Sequence, residues 1–118
     1  MKPFNNPFGD KVVYTRRTRI AGLTPDGVLL VNPDTYRRLP LPARIFVVYH
    51  EYAHALGIRV EQEADIFAAS NMKAMGYSDR DVALAHALTL SAGSSDNNAR
   101  VAAVIEYLEK RKKGDEIT

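Results

Sequence analysis

The sequence contains no cysteine, which excludes disulfide bonds and thiolate chemistry. It has no apolar stretch near the roughly 20 residues of a membrane-spanning helix, and its first residues lack the apolar run of a secretory signal. The formal net charge is only +2, too small to indicate a nucleic-acid partner. These absences predict a single domain over residues 1–118, located in the cytoplasm or associated with a virion, without a membrane or nucleic-acid partner.

Histidine is also scarce, and its placement is informative. The chain has three histidines, and two of them end the pentapeptide His50-Glu51-Tyr52-Ala53-His54. Residues four apart on a helix share one face, so these two imidazoles can bind one metal ion. Glu51 lies beside them, in the position of a general base acting on water. This H-E-x-x-H pattern predicts a catalytic zinc (Zn²⁺) site.

The segment that carries the pentapeptide is predicted to be a helix. Pro42 suits the first helical turn, and Gly57 suits a C-terminal cap. A strand ending near Tyr49 is the local alternative, because Val47 and Val48 are modest helix formers. The helix is favoured because apolar residues recur at helical spacing from one end to the other, at Leu41, Ile45, Val48, Tyr52 and Leu56.

A third metal ligand is expected from the helix that follows, which is predicted to run from Glu61 to Gly76. Catalytic zinc usually has three protein ligands and one open position. Glu61 and Glu63 are the nearby carboxylates that can complete the set. Asp65 shares a helical face with Glu61, where it can accept the free N–H of a ligating histidine and fix the tautomer of that ring.

The motif H-E-x-x-H followed by E-x-x-A-D resembles the gluzincin metallopeptidases, and most closely the minigluzincins, the ImmA/IrrE-type peptidases and the HtpX-like proteases. The resemblance covers residues 41–76. It implies a zincin-like active-site helix, with Glu51 as the catalytic residue. It also implies that His50, His54 and Glu61 ligate zinc and that Asp65 supports a ligand from behind.

The spacing departs from that family, because only residues 55–60 separate His54 from Glu61, a shorter connection than in many gluzincins. Gly57 matches the turning glycine of the metzincin pattern, H-E-x-x-H-x-x-G-x-x-H. Val60 stands where that pattern has its third histidine, and valine cannot bind zinc. Glu61 is therefore the predicted third ligand and Glu63 the fallback, with a tight turn at Gly57 folding the second helix back.

The rest of the chain predicts an α+β fold with small N-terminal antiparallel β-strands packed on a bundle of about four helices. The predicted strands cover residues 11–15, 16–20 and 28–31, and the last two flank a turn at residues 24–27. Residues 28–31 are either the edge strand that binds extended substrate or a plain core strand. Beyond the strands, a short turn or helix is predicted through Arg38 after a cap at residues 32–34, and helices are predicted at residues 78–90 and 99–113, with a polar loop at residues 91–98.

Other polar residues have less specific assignments. His86 is predicted to be a partly exposed helix residue. An oxyanion donor is expected from among Tyr14, Tyr36, Tyr77 and Arg100, and the sequence does not choose between them. The basic run at residues 110–113 is predicted to be a solvated helix end, and Val101, Val104, Ile105 and Leu108 are expected to face inward.

The predicted function is hydrolysis of peptide bonds in a peptide or protein substrate by a zinc-activated water, with Glu51 as general base. Latency is one expectation for this activity: residues 1–10 are predicted to be an arm that either covers the cleft or packs simply against the domain. One alternative is a catalytically idle zinc-binding protein with a structural or regulatory role, of phage or mobile-element origin. Another is an interaction module whose histidines bind no metal. No sequence feature indicates an oligomeric state.

Overall fold

The computed structural model describes residues 2–90 and 95–117. Over this part of the chain, three short N-terminal strands are followed by five helices, which confirms the predicted α+β class. The elements are β1 (Val12–Tyr14), β2 (Ala21–Leu23), β3 (Leu29–Val31), α1 (Pro33–Arg38), α2 (Leu41–Ala55), α3 (Glu61–Met75), α4 (Asp79–Thr89) and α5 (Ser95–Ile117).

The three strands form one mixed sheet in the order β1-β3-β2. The β2–β3 pair is an antiparallel hairpin, and Thr24 N donates to Val28 O at 3.0 Å across its turn. Gly27 in that turn has a φ of 84°, which glycine adopts without strain. The β1–β3 pair is parallel, so the predicted antiparallel arrangement holds for one pair only.

The strand at residues 28–31 is not an edge strand. β3 lies between β1 and β2, and both of its hydrogen-bonding sides are used. Leu29 and Val31 are buried, as expected for the core-strand alternative. The edge strands are β1 and β2, and β2 is the one that packs against α2.

Residues 16–20, predicted to be a strand, form turns and bends instead. The Thr15 hydroxyl accepts a hydrogen bond from Arg17 N at 3.2 Å, a local side-chain contact that competes with strand pairing. Arg16 turns outward to pair with Asp34 at 2.8 Å. The chain becomes extended again only at Ala21, where β2 begins.

Helix boundaries follow the capping residues closely. Asn32 caps α1 by accepting from Asp34 N at 3.0 Å, and Ser78 caps α4 by accepting from Asp81 N at 3.1 Å. α3 ends at Met75 and is capped by Gly76, whose φ of 103° is left-handed. α5 begins at Ser95, so residues 95–98 of the predicted polar loop are helical, while residues 91–94 lie outside the described part of the chain.

α2 is the central helix, packing against α3, α4 and β2. Ile45 and Val48 of its predicted apolar stripe are buried, whereas Leu41 and Leu56 at its two ends are more than half exposed. In α5 the inward face is narrower than predicted, because Ile105 is 42% exposed. The larger apolar cluster joins α2 to α3, α4 and α5, and a smaller one lies beneath the sheet.

The N-terminal arm, residues 2–10, packs against α2. The rings of Phe4 and Tyr49 meet edge to face with centroids 5.7 Å apart, and Phe8 meets Tyr52 in the same way at 5.6 Å. Phe8 is buried in the cluster beneath the sheet. None of the described helices is both long and apolar enough to cross a membrane.

Candidate metal centre

A short connector between α2 and α3 brings the predicted ligands together. Gly57, with a φ of 98°, turns the chain directly after α2. Its N–H donates to His54 O at 3.0 Å, and the next N–H, from Ile58, reaches back to Ala53 O at 3.0 Å. α3 then begins at Glu61, so the side chain of that residue lies beside the last turn of α2.

Three ligand atoms converge at this junction. His50 Nε2 lies 3.1 Å from His54 Nε2. Glu61 Oε2 lies 3.3 Å from His50 Nε2, and Glu61 Oε1 lies 2.9 Å from His54 Nε2. Ligands bonded at about 2.0–2.1 Å to a tetrahedral zinc ion lie about 3.3 Å from one another. The observed separations fit that requirement, so the group can hold a metal ion.

The outer nitrogen of each imidazole has an acceptor that fixes the ring. His50 Nδ1 lies 2.8 Å from Asp65 Oδ1, and His54 Nδ1 lies 2.7 Å from Ile58 O. A carboxylate and a carbonyl can only accept, so each Nδ1 carries a proton; in that tautomer the Nε2 atom of each ring turns a lone pair toward Glu61. Converging lone pairs beside a carboxylate repel one another unless a cation lies among them.

Asp65 is fully buried and contacts both the candidate ligand His50 and the side chain of Arg100. It accepts from Arg100 at both oxygens, Nε to Oδ2 at 2.7 Å and Nη2 to Oδ1 at 2.8 Å. Burial by itself would raise the pKa of Asp65, but the hydrogen bonds from Arg100 and His50, together with nearby His86, hold that pKa far below its usual range. The Asp65 side chain is therefore ionised at neutral pH.

Glu51, the predicted general base, follows His50 directly on α2. It lines the same cavity as His50 and Glu61. Burial raises the pKa of Glu51, and the neighbouring Arg100, His50 and His54 offset only part of that rise. A carboxylate with a raised pKa is a better proton acceptor near neutral pH than an ordinary surface glutamate.

The cavity has a volume of about 310 Å³ and lies between the sheet, α2, and the facing ends of α4 and α5. Ile20 and Ala21 form its sheet-side wall, so β2 borders the metal centre. No residue of the described arm, 2–10, contributes to its lining. The complete lining set is Arg19, Ile20, Ala21, Phe46, Val47, His50, Glu51, Glu61, Thr89, Leu90, Asn97 and Arg100.

His86 is not the partly exposed residue that was predicted. It is buried, with its ring 4.8 Å from that of Phe46, and its Nε2 lies 3.0 Å from Asp65 Oδ2. That contact has the distance of an ion pair but not the alignment of a hydrogen bond, and among the described residues Nε2 has no other partner. The sequence did contain a signal for this burial, because His86 follows the apolar Val82 by one helical turn and so lies on the same face of α4.

Of the four suggested oxyanion donors, only Arg100 lines the cavity. Tyr77 lies in the core, and Tyr14 and Tyr36 flank a different surface hollow. Arg100 precedes Val104 by four residues, and Val104 precedes Leu108 by four, so all three lie on the inward face of α5. A charged residue on that face was the sequence signal that Arg100 would point into the protein.

Glu63, the fallback ligand, is exposed and is not part of the converging group. Comparison of the chain with models of known protein families, with curated proteins and with solved structures gives no match.

Proposed function

We propose that the protein is a zinc-dependent metallopeptidase in which His50, His54 and Glu61 hold the metal and Glu51 is the general base. The observation that carries this proposal is the convergence of the three ligand atoms on a cavity that Glu51 also lines. The likeness of the motif to gluzincins supports the same assignment. An acidic surface cluster that binds no metal does not require two histidines whose Nδ1 atoms are each held by an acceptor, as those of His50 and His54 are.

The donor set favours zinc over the other common divalent ions. Calcium and magnesium prefer oxygen ligands, whereas zinc is commonly bound by imidazole nitrogen together with carboxylate oxygen. Two imidazoles and one carboxylate are the ligand types of a catalytic zinc site that keeps one position open. The Asp65 and Ile58 contacts to the two Nδ1 atoms are the supports such ligands usually have.

His50, His54 and Glu61 would hold the zinc ion, which would supply Lewis acidity to lower the pKa of a water and polarise a carbonyl oxygen. Glu51 accepts the proton that the attacking water releases and hands it to the nitrogen of the leaving amine. Its raised pKa makes the carboxylate a stronger base than an ordinary surface glutamate, and the protonated carboxyl group is then the acid that donates to the leaving amine. His50 and His54 keep their rings in place, because each Nδ1–H donates a hydrogen bond to its acceptor, Asp65 for His50 and the Ile58 carbonyl for His54.

The open side of β2 offers a place for extended substrate. Asn32 N donates to Ile20 O at 2.8 Å, and Thr24 N donates to Val28 O. Because antiparallel strands alternate, the N–H and C=O of Ala21 point away from β3, toward the unpaired side. A peptide that adds to this edge would pass over the cavity that Ala21 lines.

The decisive test of this function is the Glu51→Gln variant. The substitution keeps the size of the side chain but removes the base, so zinc content should stay at the wild-type level while peptide hydrolysis is lost. Hydrolysis is measured on an unfolded protein substrate by mass spectrometry, and His50→Ala serves as the control that loses both properties. Full hydrolysis by the Glu51→Gln protein would overturn the assigned role.

A catalytically idle zinc protein is the second candidate, and one contact favours it. Arg19 Nη2 donates to Thr89 O at 2.6 Å, which joins two residues that line the cavity on different sides. If zinc is bound and the wild type cleaves no peptide, Arg19→Ala should open the cleft and restore turnover. Continued inactivity in that variant would favour the idle role.

A further inference from the structure

The C-terminal helix α5 contributes one side chain that contacts both carboxylates of the metal centre. Arg100 grips Asp65 through Nε and Nη2, and its remaining nitrogen, Nη1, lies 3.3 Å from Glu61 Oε2. All three guanidinium nitrogens are thus used. The side chain is only 18% exposed, so these contacts are shielded from water.

Glu61 is the ligand that most needs such a contact. Its side chain is 53% exposed and belongs to the first residue of α3, where little packing restrains it. A free glutamate loses rotamer entropy when it binds a metal, which weakens binding. The Arg100 Nη1 contact holds Glu61 in the orientation that places its oxygens near both histidines before an ion arrives.

A second contact path runs through Asp65 to His50. Arg100 donates to both Asp65 oxygens and so fixes the carboxylate, and His50 Nδ1 donates to one of those oxygens, Oδ1. The orientation of the His50 ring therefore depends on Arg100 through the Asp65 carboxylate that both side chains contact. Arg100 acts directly on one ligand and indirectly on another.

Electrostatic repulsion acts in the opposite direction. A guanidinium this close to a divalent ion disfavours metal binding, because like charges repel in a partly shielded site. If repulsion were the larger effect, removing Arg100 would tighten metal binding. If positioning is the larger effect, removing it weakens metal binding, so the sign of the change decides between the two.

We infer that Arg100 is a positioning residue that raises the metal affinity of the His50, His54 and Glu61 centre, which makes α5 an integral part of that centre. The inference rests on the proposed function only in requiring that these three ligands bind zinc. It does not require the protein to hydrolyse peptides, so the two can fail separately.

The test is the zinc dissociation constant, measured by competition with a chromophoric chelator. Arg100→Ala should weaken zinc binding by about 10- to 100-fold, the range for residues that orient metal ligands. Arg100→Lys keeps the charge but loses the planar fork, so it should still bind about tenfold more weakly than wild type. Wild-type or tighter binding by either variant would overturn the inference.

Two further variants separate positioning from folding. Arg100→Met combined with Asp65→Asn leaves no unpaired buried charge, so it keeps the test available if the alanine variant does not fold. That double variant should also bind zinc at least about tenfold more weakly, and wild-type affinity in it would refute positioning. Lys110→Ala removes an exposed ion pair with Glu106 on the same helix and should leave the affinity unchanged. A wild-type protein that binds no zinc would refute the proposed function itself.

Discussion

Replacing Asp65 with asparagine should destabilise the fold strongly, even with metal removed. The buried carboxylate accepts from Arg100 at both oxygens and from His50 at one. Asparagine keeps one oxygen, which can serve His50 and Arg100 Nη2. Its amide nitrogen takes the place of Oδ2, which in the wild type lies 2.7 Å from Arg100 Nε and 3.0 Å from His86 Nε2. The contact with Arg100 Nε then joins two hydrogen-bond donors, which repel each other.

The magnitude follows from that loss. A hydrogen bond to a charged group contributes about 1.5–3 kcal/mol, and breaking one partner of a buried ion pair costs about 3–5 kcal/mol. A domain of this size has a total unfolding free energy of about 5–15 kcal/mol. Asp65→Asn should therefore lower Tm by about 12–20 °C, at about 4 °C per kcal/mol. The assay is thermal and urea unfolding in excess chelator, so that metal binding does not contribute.

The control and the pH dependence sharpen this test. Asp34→Asn removes a carboxylate of the same type from its exposed pair with Arg16 and should leave Tm near the wild-type value. The native pKa of Asp65 lies below its unfolded value of about 3.9, so its stabilisation is present above that pH and is lost as pH falls. The stability gap between wild type and Asp65→Asn should be largest at neutral pH and should narrow below about pH 4. A Tm within a few degrees of wild type at pH 7 would refute this reading of the buried network.

Two further predictions concern the edge strand and the connector. Ala21→Pro removes the N–H on the open side of β2, so KM for an extended peptide should rise about 2- to 10-fold with zinc content unchanged, as expected for one lost backbone hydrogen bond. Ala21→Ser keeps that N–H and should retain the wild-type KM; an unchanged KM in the proline variant would exclude pairing at this edge. Gly57→Ala places a side chain at a φ of 98° with open space around it, so backbone strain alone should lower the unfolding free energy by about 1–2 kcal/mol. Gly114→Ala, at a helical position, should leave stability unchanged or raise it, and equal effects at the two glycines would contradict the strain argument.

The helices could be predicted from the sequence because their signals are local. Asn32 and Ser78 each cap the helix that follows by a contact within three residues, and Gly76 ends α3 by adopting a conformation that other residues avoid. The His50 and His54 pair is equally local, since both lie on one helix face. Such signals need no knowledge of distant parts of the chain.

The sheet order and the support of the metal centre could not be predicted in this way. The position of β3 between β1 and β2 depends on a parallel pairing that no short pattern specifies. His86 and Arg100 reach Asp65 from helices far along the chain, so each looked like an ordinary polar residue on its own helix. Their position on inward faces was visible, but the buried carboxylate that they meet there was not.

Metal content of the untagged wild-type protein, measured by elemental analysis, tests the central claim most directly, because every step of the proposed chemistry depends on it. We expect about one zinc ion per chain, as for a single site with three protein ligands, and loss of that zinc in both His50→Ala and Glu61→Ala. Retention in Glu61→Ala with loss only in His50→Ala would contradict Glu61 as the third ligand. Wild-type protein without stoichiometric metal would contradict the metal centre and the hydrolase proposed from it.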